Sequence, residues 1–324
     1  MKATARAHSN IALVKYWGKR STPLNLPMNG SISLTLDKLH TTTTVEWDPN
    51  LKTDEVTLND QILGEEEVRP LSNFLDLVRQ QGGMDTRARI TTFNNFPTAA
   101  GLASSASGFA ALALASSHAA GLKLDPQALS LLARRGSGSA ARSIWGGFSE
   151  WRRGEREDGR DSYAQPLEAS GLDDLKMLVT VLEPGPKPLS SRNGMNRTTE
   201  TSPMYPAWQE TVDLDLAGMR RAIASGDFMT IGRIAEANCL KMHATMLTSQ
   251  PFILYWQPTT VALMHRVASL RAEGFSCFFT IDAGPNVKVL CHAKEVEAIA
   301  RALKEEPGVK AIIRCKRGPG AHLL

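Results

Sequence analysis

Residues 94–108 read NNFPTAAGLASSASG, a run rich in small and hydroxyl side chains. Small side chains from Ala99 to Gly101 let a ligand approach the backbone, and serines follow where a helix begins. Backbone N–H groups at a helix start are unpaired, and the helix dipole favours an anion beside them. The pattern differs from GxxxxGK[ST], which disfavours a P-loop NTPase. The stretch predicts a loop that holds the phosphates of ATP, with a small-residue helix packed on a sheet as the alternative.

A second loop of this kind occupies residues 135–142, which read RGSGSAAR. It again offers backbone amides and hydroxyl groups, and Arg142 can bind a carboxylate or a phosphate through two N–H groups. Gly136 on its own is also typical of a helix C-terminus. Two such loops in one chain predict two phosphorylated ligands, a nucleotide and a phosphorylated substrate.

Charged residues near both ends of the chain are candidates for the same site. Residues 9–19 read SNIALVKYWGK, in which Lys15 and Lys19 follow an apolar strand. This spacing is compatible with a grip on a substrate phosphate and also with ordinary surface charge. Residues 278–286 read FFTIDAGPN, in which Asp282 ends an apolar strand before a Gly-Pro turn. Such an aspartate is either a backbone acceptor in the turn or a positioned acid.

Length and composition predict a globular protein with small anionic substrates. The 324 residues exceed what one hydrophobic core usually serves, so we expect two packed subdomains. A net charge of +4 argues against a nucleic-acid partner. The four cysteines lack zinc or disulfide spacing, which indicates reduced thiols and a cytoplasmic protein. Neither a signal peptide nor a membrane span is predicted.

The order of the predicted elements gives the fold class. In the first half, strands are predicted at 34–47 and 175–182 and helices at 70–81, 104–120 and 125–136. In the second half, helices near 208–224, 227–247, 257–273 and 294–305 alternate with strands near 277–281, 286–291 and 309–314. This pattern predicts an α+β fold with helices over a small antiparallel sheet. The proline-rich segment 183–188 is expected to separate two domains, 1–183 and 184–324.

Together these segments resemble the GHMP kinase superfamily and, within it, the mevalonate diphosphate decarboxylase branch. The match runs in family order through residues 10–19, 29–33, 94–108, 136–151, 190–202 and 279–286. The motifs KYWGK, NNFPTAAGLASSA and DAGPN are specific to that branch, whereas other GHMP kinases share only the outline of the middle loop. The resemblance implies a two-subdomain fold, with an N-terminal part similar to domain 2 of ribosomal protein S5 and a ferredoxin-like C-terminal part.

The resemblance also implies a reaction, the ATP-dependent decarboxylation of (R)-5-diphosphomevalonate to isopentenyl diphosphate. Phosphorylation converts the tertiary 3-hydroxyl, a poor leaving group, into a phosphate that departs readily. The electrons of the carboxylate then form the alkene as CO₂ leaves. The implied cofactors are ATP and Mg²⁺, with Ser105 as a metal ligand, and the implied assembly is a cytoplasmic homodimer in isoprenoid biosynthesis without nucleic-acid or membrane partners.

The resemblance assigns roles to residues at matching positions. The implied catalytic residues are Asp282, Lys15, Arg142 and Asn10. The implied substrate-binding residues are Tyr16, Trp17, Gly18, Lys19, Arg69, Ser137, Gly138, Ser139, Ala140, Ala141, Arg142, Ser191, Arg192 and Met195. The implied ATP-binding residues are Pro97, Ala100, Gly101, Leu102, Ala103, Ser104, Ser105 and Ser107. Arg142 with Asn10 would orient the substrate carboxylate, and Asp282 would face the 3-hydroxyl as a base or an electrostatic stabiliser.

Three other functions are compatible with the same sequence. They are a decarboxylase of 5-phosphomevalonate, a 3-kinase that stops after phosphorylation, and a non-catalytic sensor of phosphorylated metabolites. Lys19 and Arg192 suit a diphosphate better than a monophosphate. The presence of Lys15, Arg142 and Asp282 disfavours a pure kinase, and a sensor is expected to have lost part of this set.

Overall fold

The computed structural model describes residues 1–96, 104–182 and 189–324. Two sequence predictions fall in the gaps. Five of the predicted ATP-binding residues lie outside the described residues, namely Pro97, Ala100, Gly101, Leu102 and Ala103. The expected domain boundary at residues 183 and 184 also lies outside them, and the division into 1–183 and 184–324 stays a prediction.

The described residues form fourteen strands and nine α-helices. The strands are β1 (Lys2–Val14), β2 (Lys19–Ser21), β3 (Leu26–Pro27), β4 (Ser31–Asp48), β5 (Glu55–Leu58), β6 (Gln61–Ile62), β7 (Arg87–Asn94), β8 (Phe148–Trp151), β9 (Ala164–Pro166), β10 (Leu175–Leu182), β11 (Cys277–Ile281), β12 (Val287–His292), β13 (Val309–Cys315) and β14 (His322–Leu323). The helices are α1 (Glu65–Gly82), α2 (Ser104–Ala119), α3 (Pro126–Gly136), α4 (Ala140–Ser143), α5 (Ser191–Thr201), α6 (Tyr205–Ser225), α7 (Phe228–Leu247), α8 (Pro258–Ala272) and α9 (Val296–Lys304). These elements confirm the predicted α+β class.

The first half of the chain builds an eight-stranded sheet in the order β14-β1-β4-β7-β5-β6, with β8 and β9 beside β4. Its pairings are antiparallel except for the parallel pair β5 and β7. The threonine-rich β4 contains the predicted strand 34–47, because β-branched side chains favour the extended backbone. The edge strand β14 comes from the far end of the chain and pairs with β1, where Arg6 stands opposite His322.

Helices cover this sheet largely as predicted. The helix α2 begins at Ser104 and rests on β1 and β4 through alanines that are fully buried, such as Ala110 and Ala111. The helix α3 begins as expected, with the Asp125 carboxylate accepting from the Ala128 N–H at 2.7 Å. The helix α1 starts at Glu65, earlier than residue 70, because its first turn is acidic rather than apolar.

The second half builds an antiparallel four-stranded sheet in the order β11-β12-β10-β13. The strand β10 has the predicted bounds, and α6 to α9 lie where helices were expected. The helix α5 was not predicted, because its sequence is mostly polar and lacks an apolar period. It begins behind Ser190, whose hydroxyl accepts from the Asn193 N–H at 3.2 Å. No helix among the described residues is both long and apolar enough to cross a membrane.

The largest hydrophobic cluster is shared between the two halves. It contains Ile11 and Leu34 from the first sheet together with Met177 and Val179 from the second. The helix α7 packs directly on β11, since a Cβ on Gly232 would lie 2.0 Å from the Phe278 ring. This shared core brings the C-terminal ends of β1 and β11 together, and the charged residues that follow both strands meet there.

Candidate active site

A cavity of about 330 Å³ lies where β1 and β11 end. It is lined by the described residues from both small-residue loops, from the segment after β1, from the start of α5 and from the turn after β11. The predicted site residues on its wall are Asn10, Lys15, Tyr16, Trp17, Lys19, Ser104, Ser105, Ser137, Gly138, Ser139, Arg142, Ser191, Arg192, Met195 and Asp282. The four segments singled out in the sequence therefore share one site.

An ion pair joins the two halves of the chain inside this cavity. Lys15 Nζ donates to Asp282 Oδ1 at 2.7 Å and to the Ala12 carbonyl at 2.8 Å. The backbone of Lys15 is held on both sides, because its N–H donates to Asn238 and its carbonyl accepts from Asn29. Lys15 is 2% exposed, whereas the side chain of Asp282 is 27% exposed. The carboxylate is therefore the member of the pair that is more open to the cavity.

A second ammonium group contacts the same carboxylate. Lys288 on β12 is fully buried, and its Nζ lies 3.1 Å from Asp282 Oδ2. Burial alone would raise the pKa of Asp282, but the charges of Lys15 and Lys288 outweigh it and hold that pKa well below its ordinary value. Asp282 is consequently ionised at physiological pH and accepts a proton poorly.

Arg142 and Asn10 form the second predicted pair. Arg142 Nε donates to Asn10 Oδ1 at 3.1 Å, and its Nη1 donates to Ser31 Oγ at 2.6 Å. Asn10 in turn donates to Ser143 Oγ at 2.8 Å. Burial lowers the pKa of Arg142 to about 10, so the guanidinium stays charged at neutral pH. The pair presents a fixed cation to the cavity, suited to a carboxylate or a phosphate.

Lys19 and Arg192 add positive charge to another part of the wall. Lys19 Nζ donates to Asn25 Oδ1 at 2.6 Å, and Asn25 donates to the carbonyl groups of Arg134 and Arg135. Burial, together with the charge of Arg192, lowers the pKa of Lys19 to about 8. Because the partner of Lys19 is a neutral amide, its charge is available to an anionic ligand.

Tyr16 and Gly138 shape the wall between these cations. The ring of Tyr16 packs edge-on against Trp151, with centroids 4.8 Å apart. Its hydroxyl is buried and has no hydrogen-bond partner among the described residues. A Cβ on Gly138 would lie 2.6 Å from Trp151 Cη2, so glycine is needed for this close approach. A buried donor on the cavity wall with no partner among the described residues fits a ligand that accepts hydrogen bonds.

The two small-residue loops touch each other and border a second cavity. Ser137 Oγ donates to Ser105 Oγ at 3.3 Å, which links the end of α3 to the start of α2. The second cavity has a volume of about 200 Å³ and shares Ser104, Ser105 and Phe109 with the first. Its apolar wall includes Leu63, Leu71, Ile90 and Leu112. An apolar cleft beside the start of α2 suits a flat aromatic ring.

Ala140 and Ala141 do not line the cavity, and their role in substrate binding stays a prediction. Both side chains are fully buried, in contact with core residues. Their backbone N–H groups donate to the Ser137 and Gly138 carbonyls within the turn. Neither amide is therefore free for a phosphate, and the two alanines serve the packing beneath the loop.

Arg69, Gly18 and Ser107 line neither cavity, and their roles in ligand binding stay predictions. Arg69 is exposed on α1 and lines neither cavity. Ser107 is fully buried and bonds Thr41 Oγ1 at 2.7 Å, so it fastens α2 to β4 instead of facing a ligand. Gly18 has a left-handed φ of +101° and leaves room for the Tyr205 hydroxyl, which a Cβ would approach to 2.0 Å. Its role is conformational.

Three residues with a part in the site were missed in the sequence. Asn25 and Ser31 hold cations through neutral oxygens, and polar residues of this kind carry no distinctive local pattern. Lys288 did leave a signal, a single charge inside the apolar run of β12. A lysine in a strand that is buried on both faces needs a partner, and Asp282 is close by in the sequence.

The residues present fit a magnesium ion that arrives with phosphates. Among residues 1–96, 104–182 and 189–324, no group of three His, Cys, Asp or Glu side chains could hold a metal. The hydroxyl of Ser105 lies at the start of α2 on the cavity wall. Hydroxyl and phosphate oxygens are ligands that Mg²⁺ prefers, and it commonly binds through few protein groups.

Comparison with known proteins finds similarity along nearly the whole chain. A family model described as the diphosphomevalonate decarboxylase-like N-terminal domain matches residues 7–164, and one described as the mevalonate 5-diphosphate decarboxylase C-terminal domain matches residues 177–318. Among curated relatives, diphosphomevalonate decarboxylase of Aspergillus fumigatus is 38% identical over 322 residues. That alignment covers 94% of this chain and 80% of the relative.

Two solved structures extend this similarity to three dimensions, each covering 100% of this chain and 99% of its own. One, described as MDDEF in complex with MVAPP, AMPPCP and magnesium, is 46% identical with a TM-score of 0.95. The other concerns the mevalonate diphosphate mediated ATP binding mechanism of mevalonate diphosphate decarboxylase from Enterococcus faecalis. It is 45% identical with a TM-score of 0.94.

The lowered pKa of Lys19 predicts a pH-dependent affinity for phosphates. Because the pKa is about 8, the ammonium is mostly charged at pH 7 and mostly neutral at pH 9. We expect the affinity for inorganic pyrophosphate to fall by up to about tenfold over this range, relative to Lys19→Arg, which keeps its charge. Calorimetric titration of both proteins at each pH cancels the ionisation of the ligand itself. A constant affinity ratio between pH 7 and 9 would contradict the prediction.

Proposed function

The chain belongs to the diphosphomevalonate decarboxylase family, and from this premise we infer that it catalyses the ATP-dependent decarboxylation of (R)-5-diphosphomevalonate to isopentenyl diphosphate. ADP, phosphate and CO₂ are the other products. The observation that carries the proposal is that one cavity is lined by the ionised Asp282, by the buried guanidinium of Arg142 and by described residues of both small-residue loops. A phosphoryl group and a carboxylate can be brought to the same carbon skeleton there.

The reaction consists of two bond-breaking stages. The oxygen of the 3-hydroxyl attacks the γ-phosphorus of ATP, ADP departs, and the hydroxyl proton is released. The C3–O bond then breaks with its electron pair going to phosphate, and the C1–C2 electron pair becomes the C2–C3 double bond as CO₂ leaves. Mg²⁺ supplies charge neutralisation for the phosphates when it is bound.

In this proposal, different cations of the cavity bind different parts of the substrate. Lys19 and Arg192, with the hydroxyl of Tyr16, hold the diphosphate. The support is that the Lys19 ammonium contacts a neutral amide, and that the buried Tyr16 hydroxyl has no hydrogen-bond partner among the described residues. Arg142 with Asn10 holds the carboxylate. A grip on the carboxylate stabilises the ground state and opposes loss of CO₂. Its benefit therefore lies in orienting the 3-hydroxyl for phosphoryl transfer.

Asp282 acts as an electrostatic group in this proposal. Its pKa is held below the ordinary value by two lysines, so taking a proton from a tertiary alcohol is strongly unfavourable. A fixed negative charge beside C3 instead stabilises the positive charge that develops there when phosphate departs. Lys15, on Oδ1, keeps the carboxylate in place beside the reacting carbon.

ATP spans both cavities in this proposal. The hydroxyl groups of Ser104 and Ser105 at the start of α2 face its phosphates, and Ser105 supplies an oxygen to Mg²⁺. The adenine ring occupies the second cavity, because that cleft adjoins the serines and is mostly apolar. Leu71 contributes to its wall from α1.

Leu71→Ala is expected to raise the KM for ATP about fivefold, because part of the apolar surface against the base is removed. The KM for 5-diphosphomevalonate is expected to stay unchanged, since Leu71 does not line the first cavity. Leu77→Ala is the matched control, a half-buried leucine on the same helix that lines neither cavity. Initial-rate kinetics with each substrate varied in turn separate the two constants. Equal changes of the KM for ATP in both variants would contradict the placement of adenine in this cleft.

The substrate is decided by an assay that measures ADP and CO₂ together. With ATP and Mg²⁺ present, we expect 5-diphosphomevalonate to yield both products in equal amounts, and mevalonate or its 5-phosphate to yield far less. ADP without CO₂ would identify a 3-kinase instead. Turnover of the 5-phosphate alone would identify a phosphomevalonate decarboxylase, and binding without ADP would identify a sensor.

A homodimer is the proposed assembly. Large apolar side chains are exposed on the helical layer of the second half, with Leu214 on α6 75% exposed and Leu247 on α7 40% exposed. We expect sedimentation velocity to give about twice the chain mass, and Leu214→Glu to shift the protein towards the monomer. A monomer throughout the micromolar range would contradict the proposal.

A cytoplasmic location is proposed as well. Its support is chemical, since all four cysteines are buried and free of disulfides. Reduced thiols of this kind are usual in reducing compartments. Fractionation of the source cells, with the enzyme activity as marker, measures the location directly.

A further inference from the structure

Lys288 is a fully buried cation that does not line the cavity. Its Nζ lies 3.1 Å from Asp282 Oδ2, the oxygen opposite to the one that Lys15 contacts. We propose that Lys288 is a positioning residue for the reaction, which together with Lys15 holds Asp282 by both oxygens in one orientation and as an anion. This inference rests on the proposed function.

The strand pairing places Lys288 behind the carboxylate. The strands β11 and β12 are antiparallel neighbours, and Lys288 stands opposite Thr280. Asp282 follows directly after β11, so a short turn brings the chain back past it. Lys15 reaches the other oxygen from the end of β1, in the other sheet. Two contacts from different sheets restrain rotation about the Cβ–Cγ bond of Asp282.

The titratable groups around the Asp282 carboxylate are either basic or neutral at physiological pH. The titratable groups that interact with Asp282 or Lys288 are Lys15, Arg142, Cys239 and His243. Burial raises the pKa of Cys239 and lowers the pKa of His243 to about 3, so both are neutral at physiological pH. Asp282 is then the one negative charge in this set. Burial lowers the pKa of Lys288, and the contact with Asp282 at 3.1 Å opposes that shift and favours the ammonium form.

The fixed orientation of Asp282 and its negative charge both bear on catalysis. A carboxylate engaged at Oδ1 and Oδ2 has little freedom to take up a proton, and its charge stays aimed at the reacting carbon. Without Lys288, Asp282 would keep Lys15 but could rotate towards it, and its pKa would rise because one of the two lowering charges is lost. The role of Lys288 is thus exerted through Asp282, without contact with substrate.

The test replaces Lys288 by methionine, which removes the charge and keeps a chain of similar length. We expect Lys288→Met to lower kcat about tenfold or more, because small displacements of a reacting group are costly. The KM values for ATP and 5-diphosphomevalonate are expected to change less than about threefold, since the residue lies outside the cavity. The acidic limb of kcat against pH is expected to move to higher pH.

Three further variants separate positioning from packing. Thr280→Val changes the residue opposite Lys288 without altering a charge, and is expected to keep the wild-type kcat and pH profile. Lys288→Arg keeps the charge and is expected to keep the acidic limb in place. In an Asp282→Asn background, followed by single-turnover kinetics, Lys288→Met is expected to cause no further loss, because both substitutions break one interaction.

The inference is overturned if Lys288→Met keeps the wild-type kcat and acidic limb. It is equally overturned if Lys288→Met causes the same loss with or without Asp282, the behaviour of a purely structural residue. Should Lys288→Met fail to fold, Lys288→Gln provides the same readouts. An inactive wild type would count against the proposed function instead. Carbon-13 NMR titration of Asp282 in wild type and variant then still decides whether Lys288 sets its protonation.

Discussion

The contact of Asp282 with two buried lysines is the constraint on which the site depends. The three side chains come from separate places, the end of β1, the end of β11 and the interior of β12. Burying such charges is costly unless opposite charges meet at short range with their other bonds satisfied. The cluster is therefore stable only when both sheets have assembled. The cavity depends on the same assembly, because Lys15 and Asp282 both line it.

The remaining cations of the cavity are held differently. Arg142 is fixed by Asn10 and Ser31, and Lys19 is fixed by Asn25, all through neutral oxygens. Neutral partners orient a cation without cancelling its charge, so the cavity wall carries a surplus of positive charge. The proposed ligands bring a carboxylate, a diphosphate and a triphosphate, which supply the missing anions.

Most regular elements and the outline of the site could be predicted from the sequence, because apolar periodicity, capping residues and glycine-rich loops are local signals. The helix α3 and the strand β10 are examples. The contact between Lys288 and Asp282 depends on the register of β11 and β12, which no local pattern states. The resemblance assigned Ala140 and Ala141 to substrate binding, whereas the backbone N–H groups of both residues donate within the turn. The sequence did not predict which hydrogen-bond or ion-pair partner each polar group has in the folded structure.

The hydrophobic cluster shared by the two halves has a thermodynamic consequence. Since residues such as Leu34 and Val179 belong to one core, neither half can lose its packing without exposing the other. A ligand in the cavity binds only the assembled chain, so its binding free energy adds to the unfolding free energy of the whole molecule. Substrate supply and resistance to unfolding are linked, and a cell with abundant precursor also keeps more of this protein folded.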